Sequence, residues 1–106
     1  MVGQPKTAQD FSYLAQAQAH LGLHNQSVKT LKTATKKFPN IAELDYASSI
    51  VNTLAGNYVS AVVDVSDAID RGIAPVWFGF EWFSPLCKQP TFVDLEITKT
   101  TSLCQN

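Results

Sequence analysis

The chain has 106 residues, of which 45% are hydrophobic and 16% are charged, and its formal net charge is -1. This length predicts one domain over residues 1–106, and the composition excludes an intrinsically disordered chain. The near-zero net charge provides no basic field for nucleic acid, and no apolar run reaches the roughly 20 residues that a membrane-spanning helix needs.

The first predicted helix lies in TAQDFSYLAQAQAHLG, residues 7–22. Its apolar residues recur at steps of three and four: Phe11, Leu14, Ala15 and Leu21. Thr7 stands at the N-cap position, and Gly22 ends the pattern. A second helix follows, with Asn25 as its cap and Pro39 as its stop. Its apolar line is Val28, Leu31, Ala34 and Phe38.

Two further helices are predicted between residues 40 and 72. Asn40 and Glu43 have the spacing of a capping pair, and an apolar line then runs as far as Gly56: Leu44, Ala47, Val51 and Leu54. The Val-rich segment 58–71 could form a strand, but its length and its apolar spacing favour a helix closed by Gly72. That line consists of Tyr58, Val62, Val65, Ala68 and Ile69.

The chain contains an internal repeat. The two copies are offset along the sequence by the number of residues that separates Gly22 from Gly56. With these two glycines aligned, the residues after them agree: His24 with Tyr58, Ser27 with Ala61, Val28 with Val62, Leu31 with Val65, Ala34 with Ala68. The helix before Gly56 fits better when the offset is shortened by one residue. We therefore expect one additional residue just before Gly56.

A helix, a glycine turn and a second helix, repeated with a period of about 34 residues, resemble the tetratricopeptide repeat. The matching residues are Phe11, Leu14 and Ala15 in the first helix, and His24, Ser27, Leu31, Ala34 and Pro39 after the turn. The resemblance implies an all-α, right-handed solenoid with repeats at 8–39 and 40–73. A capping segment, 74–106, would close it with a final helix.

The end of the chain resembles the last part of tetratricopeptide arrays in bacterial multidomain regulators, including winged-helix regulators of the CadC type, cyclases and serine/threonine kinases. The residues that carry this resemblance are Gly72, Trp77, Phe78, Pro85, Leu86, Pro90 and Phe92. It implies a non-enzymatic module that binds a peptide or partner helix, as the sensory or scaffolding part of a regulator.

The tetratricopeptide resemblance also implies where a partner would bind, which is the concave face formed by the first helix of each repeat. The residues carried over to this face are Gln9, Ser12, Gln16 and His20, and, with the shifted register, Asp45, Ser49 and Asn52. Two repeats form a short groove, so we expect the cap, residues upstream of Met1 or a second copy of the chain to take the place of a third repeat.

The stretch VWFGFEWFSPLC, residues 76–87, concentrates aromatic side chains near the end of the chain. We expect short helical pieces broken at Gly79 and Pro85, and then a final helix from about Pro90. The rings could form a lid over the last repeat, an exposed interface for a peptide or a second copy, or a pocket for a small ligand. The candidate interface residues are Trp77, Phe80, Trp82 and Phe83.

Neither a catalytic motif nor a cofactor site is expected. His20 and His24 have a metal-binding spacing, but Gly22 interrupts the helix between them, and no third ligand is near. Cys87 and Cys104 are either two thiols in a reducing cytosol or a disulfide that joins the tail to the cap. The N-terminal residues contain no apolar core of a secretory signal. A cytoplasmic location is the default, with the periplasm as the alternative.

Overall fold

The computed structural model describes residues 5–95 and 103–104. Helices account for 74% of the structure, and none of the described residues forms a strand, which confirms the all-α prediction. Four α-helices come first: α1 (Ala8–His20), α2 (His24–Lys37), α3 (Ala42–Leu54) and α4 (Tyr58–Asp70). Two 3₁₀ helices and a short α-helix follow: η1 (Pro75–Phe78), η2 (Glu81–Lys88) and α5 (Pro90–Val93). No helix in these ranges is long and apolar enough to cross a membrane.

One of the three predicted N-caps is confirmed. The Thr7 side chain accepts a hydrogen bond from the Asp10 backbone N–H, and the Asp10 carboxylate accepts one from the Thr7 N–H. Helix α2 begins at His24, with Leu23 rather than Asn25 as its N-cap, so Asn25 lies inside the helix. Asn40 does not cap α3. It instead has a φ of 61°, a left-handed conformation that Asn tolerates, and so it redirects the chain between α2 and α3.

The same glycine turn closes α1 and α3. Gly22 and Gly56 have φ values of 80° and 84°. The residue after each glycine donates its N–H to a carbonyl five residues earlier, from Leu23 to Gln18 and from Asn57 to Asn52. The first and last residues of α1 and α3 are separated by the same offset as the two glycines. The prediction of an additional residue before Gly56 is therefore wrong. A single sequence offset aligns α1 with α3 along their whole length.

The main core lies between α1, α3, α4 and the C-terminal segment. Several small residues of these helices are fully buried: Ala15, Ala47, Ser49, Ala61 and Ala68. Larger side chains from α3 and α4, Ile50, Val51, Val62 and Val65, fill the space between them. Small residues at crossings let the helix backbones approach closely, so helix packing explains this pattern.

The apolar lines predicted from sequence are only partly buried. Leu14, Leu21 and Leu54 belonged to those lines but are 37%, 75% and 41% exposed. Leu21 and Leu54 lie at the helix ends beside the glycine turns. A second, smaller cluster of Phe11, Ala34 and Leu44 joins the first hairpin to the start of α3.

The C-terminal segment forms short helical pieces with the predicted break at Gly79, but the predicted break at Pro85 is wrong, because Pro85 lies inside η2. Phe78, Phe83, Leu86 and Phe92 are buried against the second hairpin. A disulfide joins Cys87 of η2 to Cys104, with the two Cα atoms 5.4 Å apart. Leu103 and Cys104 pack against the main core. The described end of the chain is thus attached covalently to the segment that covers α3 and α4.

Candidate functional site

An open cleft of about 380 Å3 lies between α1, α3 and the C-terminal segment. We call it the aromatic cleft. The two helices supply Gln9, Ser12, Tyr13, Gln16, Glu43 and Tyr46. The segment after α4 supplies Ile73, Trp77, Phe80 and Trp82. Five of these ten side chains are aromatic, so the cleft offers rings on one side and the polar residues of α1 on the other.

Hydrogen bonds order the polar side of the aromatic cleft. The Gln9 Nε2 group donates to the Tyr13 hydroxyl at 2.8 Å, and the Gln16 Nε2 group donates to Ser12 Oγ at 2.9 Å. Ser12 is buried and in turn donates to the backbone carbonyl of Glu43 at 3.0 Å. This last bond ties α1 to α3, so Ser12 holds the two helices in place rather than facing solvent.

Tyr46 connects the aromatic cleft to the core. Its ring lies edge-on to Trp77 and Phe78 and near Phe83, at centroid distances of 5.3 to 6.3 Å. Its hydroxyl donates to the Trp77 carbonyl at 2.8 Å. Burial raises the pKa of Tyr46 to about 12, so the phenol keeps this proton across the physiological range. The bond therefore positions η1 on α3.

The aromatic residues after α4 divide into a buried and an exposed group. Phe83 is 2% exposed and belongs to the core, whereas Trp77 and Phe80 are 51% and 42% exposed. Phe80 stacks on Trp82 with centroids 4.6 Å apart, and its ring lies 6.1 Å from Trp77. The rings of Trp77, Phe80 and Trp82 therefore border the cleft, whereas Phe83 is buried and does not line it.

The structure brings together some of the residues predicted for the concave face. Gln9, Ser12 and Gln16 line the aromatic cleft, and His20 at the end of α1 packs edge-on against Trp82 at 4.8 Å. The three residues carried over to α3 do not line it. Their register rested on the additional residue before Gly56, which does not exist.

Each of those three α3 residues is engaged elsewhere. Ser49 is fully buried and donates to the Tyr46 carbonyl. Asp45 forms an ion pair with Arg71, and Asn52 donates to the Asp64 carboxylate at 2.7 Å. Asp45 and Asn52 lie on another face of α3, toward α2 and α4.

Sequence reasoning missed Tyr13, Glu43 and Tyr46. A signal for two of them was present, because the offset between the two glycines, applied to Gln9 and Ser12, gives Glu43 and Tyr46. Tyr13 required knowledge of where the C-terminal segment lies, since its ring borders the cleft only at the side that faces that segment.

A second, narrower groove of about 310 Å3 runs between α2, α3 and α4. Asp64 lies in it and accepts hydrogen bonds from Ser48 and Asn52 through the same oxygen, at 2.8 and 2.7 Å. Burial raises the pKa of the Asp64 carboxyl, and the two hydrogen bonds oppose this effect in part. The network joins α3 to α4, which is a structural role.

A cavity of about 830 Å3 lies beside the disulfide. Its lining includes Leu103 and Cys104, which in sequence adjoin residues outside the described ranges, so it supports no site. Within residues 5–95 and 103–104, no group of three or more His, Cys, Asp or Glu side chains could hold a metal ion. Comparisons with protein-family models, curated proteins and solved structures found no match to this chain.

Proposed function

We propose that this chain is a non-enzymatic protein-interaction module that binds a peptide or partner helix in the aromatic cleft. The observation that carries the proposal is the exposure of Trp77 and Phe80 beside the polar side of α1. Aromatic rings with one buried and one accessible side contribute much of the binding energy in protein interfaces, and amide side chains at their border supply hydrogen bonds.

We further propose that the two hairpins form a tetratricopeptide-like unit at the end of a helical array. The common offset of the helices, the matching glycine turns and the buried small residues of the helices support this interpretation. Under it, α1 and α3 are the first helices of two repeats. Their common face, where Glu43 and Tyr46 are the repeat equivalents of Gln9 and Ser12, would contact the partner.

Selection of a random peptide library displayed on phage tests this function on the immobilised chain. We expect enriched peptides whose binding is weakened about tenfold or more by Trp77→Ala, since truncating an aromatic anchor at an interface commonly costs about 1 to 2 kcal/mol or more. Val76→Ala is the matched control, because Val76 is 73% exposed beside Trp77 but lies outside the cleft. Failure to enrich any peptide, or equal effects of the two substitutions, would refute the proposal.

Self-association through the same rings is a second candidate function. Trp77 and Phe80 are exposed with their rings 6.1 Å apart, and exposed apolar side chains of this kind are common in subunit interfaces. Sedimentation velocity over a range of concentrations separates the two functions. A dimer of the unsubstituted chain that Trp77→Ala converts to a monomer would favour self-association, whereas a monomer at all concentrations leaves the cleft free for a different partner.

A further inference from the structure

The charged side chain that lines the aromatic cleft is negative. Among its lining residues only Glu43 carries a charge, and none is a Lys, Arg or His. Glu43 is exposed, and in the described part of the chain the one ion pair joins Asp45 to Arg71, so the Glu43 carboxylate has no cation of its own. Four of the lysines lie on α2, which does not line the cleft: Lys29, Lys32, Lys36 and Lys37.

The rings beside Glu43 have faces that a ligand can reach. Tyr13, Trp77 and Phe80 are 60%, 51% and 42% exposed. The face of an aromatic ring is the negative part of its quadrupole, so a cation placed over it is attracted, most strongly over tryptophan. Because Phe80 is stacked on Trp82 and lies near Trp77, these faces are fixed in position before any ligand arrives.

The amide oxygens in the cleft are available to a ligand that donates hydrogen bonds. With the amide orientations assigned, Gln9 and Gln16 each use their Nε2 group on a neighbouring hydroxyl. Within the described ranges neither amide oxygen accepts a hydrogen bond. The cleft therefore presents two amide oxygens and one carboxylate, which are acceptors, next to exposed ring faces.

We propose that the aromatic cleft binds a lysine or arginine side chain on the segment that it recognises, so that its partner is a basic peptide. The proposal rests on the proposed function and adds the chemistry of the partner. A lysine ammonium or an arginine guanidinium has a positive charge for Glu43, a preference for ring faces and several donors for the amide oxygens. An acidic side chain would meet Glu43 with no cation in the lining.

The two tryptophans of the chain, Trp77 and Trp82, both line the aromatic cleft. Intrinsic tryptophan fluorescence therefore reports on ligand binding at this site, provided that circular dichroism shows no change of fold. The probes are Gly–Ser peptides that are identical except for one central residue: arginine, lysine, citrulline or glutamate. Citrulline has nearly the shape of arginine without its charge. We expect the arginine peptide to bind about fivefold or more tightly than the citrulline peptide, and the glutamate peptide to bind most weakly.

Glu43→Gln should weaken binding of the arginine peptide about fivefold and leave binding of the citrulline peptide unchanged, because it removes the charge but keeps the size of the side chain. Asp67→Asn is the matched control, since it removes one exposed negative charge from α4, outside the cleft. It should change neither affinity. Circular dichroism spectra of both variants confirm that the fold is kept.

Two results would overturn the proposal. One is equal affinity of the arginine and citrulline peptides, or no response to the arginine peptide. The other is an unchanged affinity of Glu43→Gln for the arginine peptide. The peptides enriched by phage display distinguish this failure from failure of the proposed function. Enriched peptides that depend on Trp77 but lack Lys and Arg would refute the basic-ligand proposal alone, whereas the absence of any enriched peptide would refute both.

Discussion

The two hairpins have the same backbone plan but differ in how much of each is buried. Helices α3 and α4 contribute six and four buried residues, whereas α1 and α2 contribute four and two. The second hairpin is covered on one side by α1 and on the other by η2 and α5. In α2 only the small residues Ser27 and Ala34 are buried.

This difference indicates that the burial of each hairpin is determined by the elements that pack against it. Equal turns and similar helix lengths give similar local structure, but the free energy of burial depends on what packs against each unit. The second hairpin is covered from both sides, whereas the first is covered mainly by α3 and, at the end of α1, by Trp82. Substitutions at equivalent positions should separate these local and tertiary contributions.

The largest effect is expected for Phe83→Ala, which removes a ring that is 2% exposed between η2 and the second hairpin. Loss of the apolar contacts together with the cavity should lower the free energy of unfolding by about 4 kcal/mol. Urea denaturation followed by circular dichroism measures this value, and an unfolded variant would agree with it. A loss below about 1 kcal/mol would mean that the C-terminal segment adds little to the second hairpin.

An intermediate effect is expected for the pair Val62→Ala and Val28→Ala, which lie at equivalent positions of α4 and α2. Val62 is 6% exposed and belongs to the main core, while Val28 is only partly buried beside it. At about 0.8 kcal/mol per buried methylene, the first substitution should cost about 2 kcal/mol and the second about 1 kcal/mol. The same denaturation experiment compares them, and equal losses would contradict the contrast between the hairpins.

A smaller effect, equal in both hairpins, is expected for Gly22→Ala and Gly56→Ala. Each glycine has a positive φ, and an added Cβ would meet no atom within 4 Å at either position. The cost is therefore the left-handed backbone conformation alone, about 1 kcal/mol for each. Thermal unfolding should give the same shift for both variants. Different shifts would show that the two turns are not equivalent in solution.

The smallest effect concerns the pH dependence of the contact between α3 and α4. Burial raises the folded-state pKa of Asp64 above the ordinary value of 3.8. Protonation of Asp64 therefore stabilises the folded state. This contribution to the free energy of unfolding is fully present below the unfolded-state pKa and is lost as the pH rises through the folded-state pKa. Asp64→Asn should remove this loss. Urea denaturation from about pH 3 to 7 measures it, with Asp70→Asn, which removes an exposed carboxylate from the same helix, as the control.

Much of the fold follows from local signals in the sequence. The spacing of apolar residues predicted all four helices, and Thr7, Gly22 and Gly56 marked ends that the structure has. Two caps were misassigned, because Asn25 and Asn40 have capping side chains while the backbone hydrogen bonds of the turns decide where α2 and α3 begin. The local sequence alone does not show whether a capping side chain or the backbone hydrogen bonds of a turn determine where the helix begins.

The candidate site was less predictable because it depends on contacts that are distant in sequence. Gln9, Ser12 and Gln16 were found from α1 alone. The α3 residues required the correct register, and Asp45 and Ser48 misled the alignment because the offset of the two glycines places these polar residues where the repeat pattern has apolar ones. Those polar residues are explained by partners contributed by α4 and its C-cap, since Asp45 pairs with Arg71 and Ser48 with Asp64.

Because a disulfide joins Cys87 to Cys104, the redox conditions of purification determine whether the protein has this cross-link. It closes a loop with a sequence separation of 17, which in the chain-entropy account corresponds to about 3 kcal/mol. Material purified from a reducing host, or stored with a thiol reagent, would lack this cross-link and would unfold at a lower denaturant concentration. Purification should therefore be carried out without reductant, and the oxidation state of each preparation should be checked by mass spectrometry before affinities are compared.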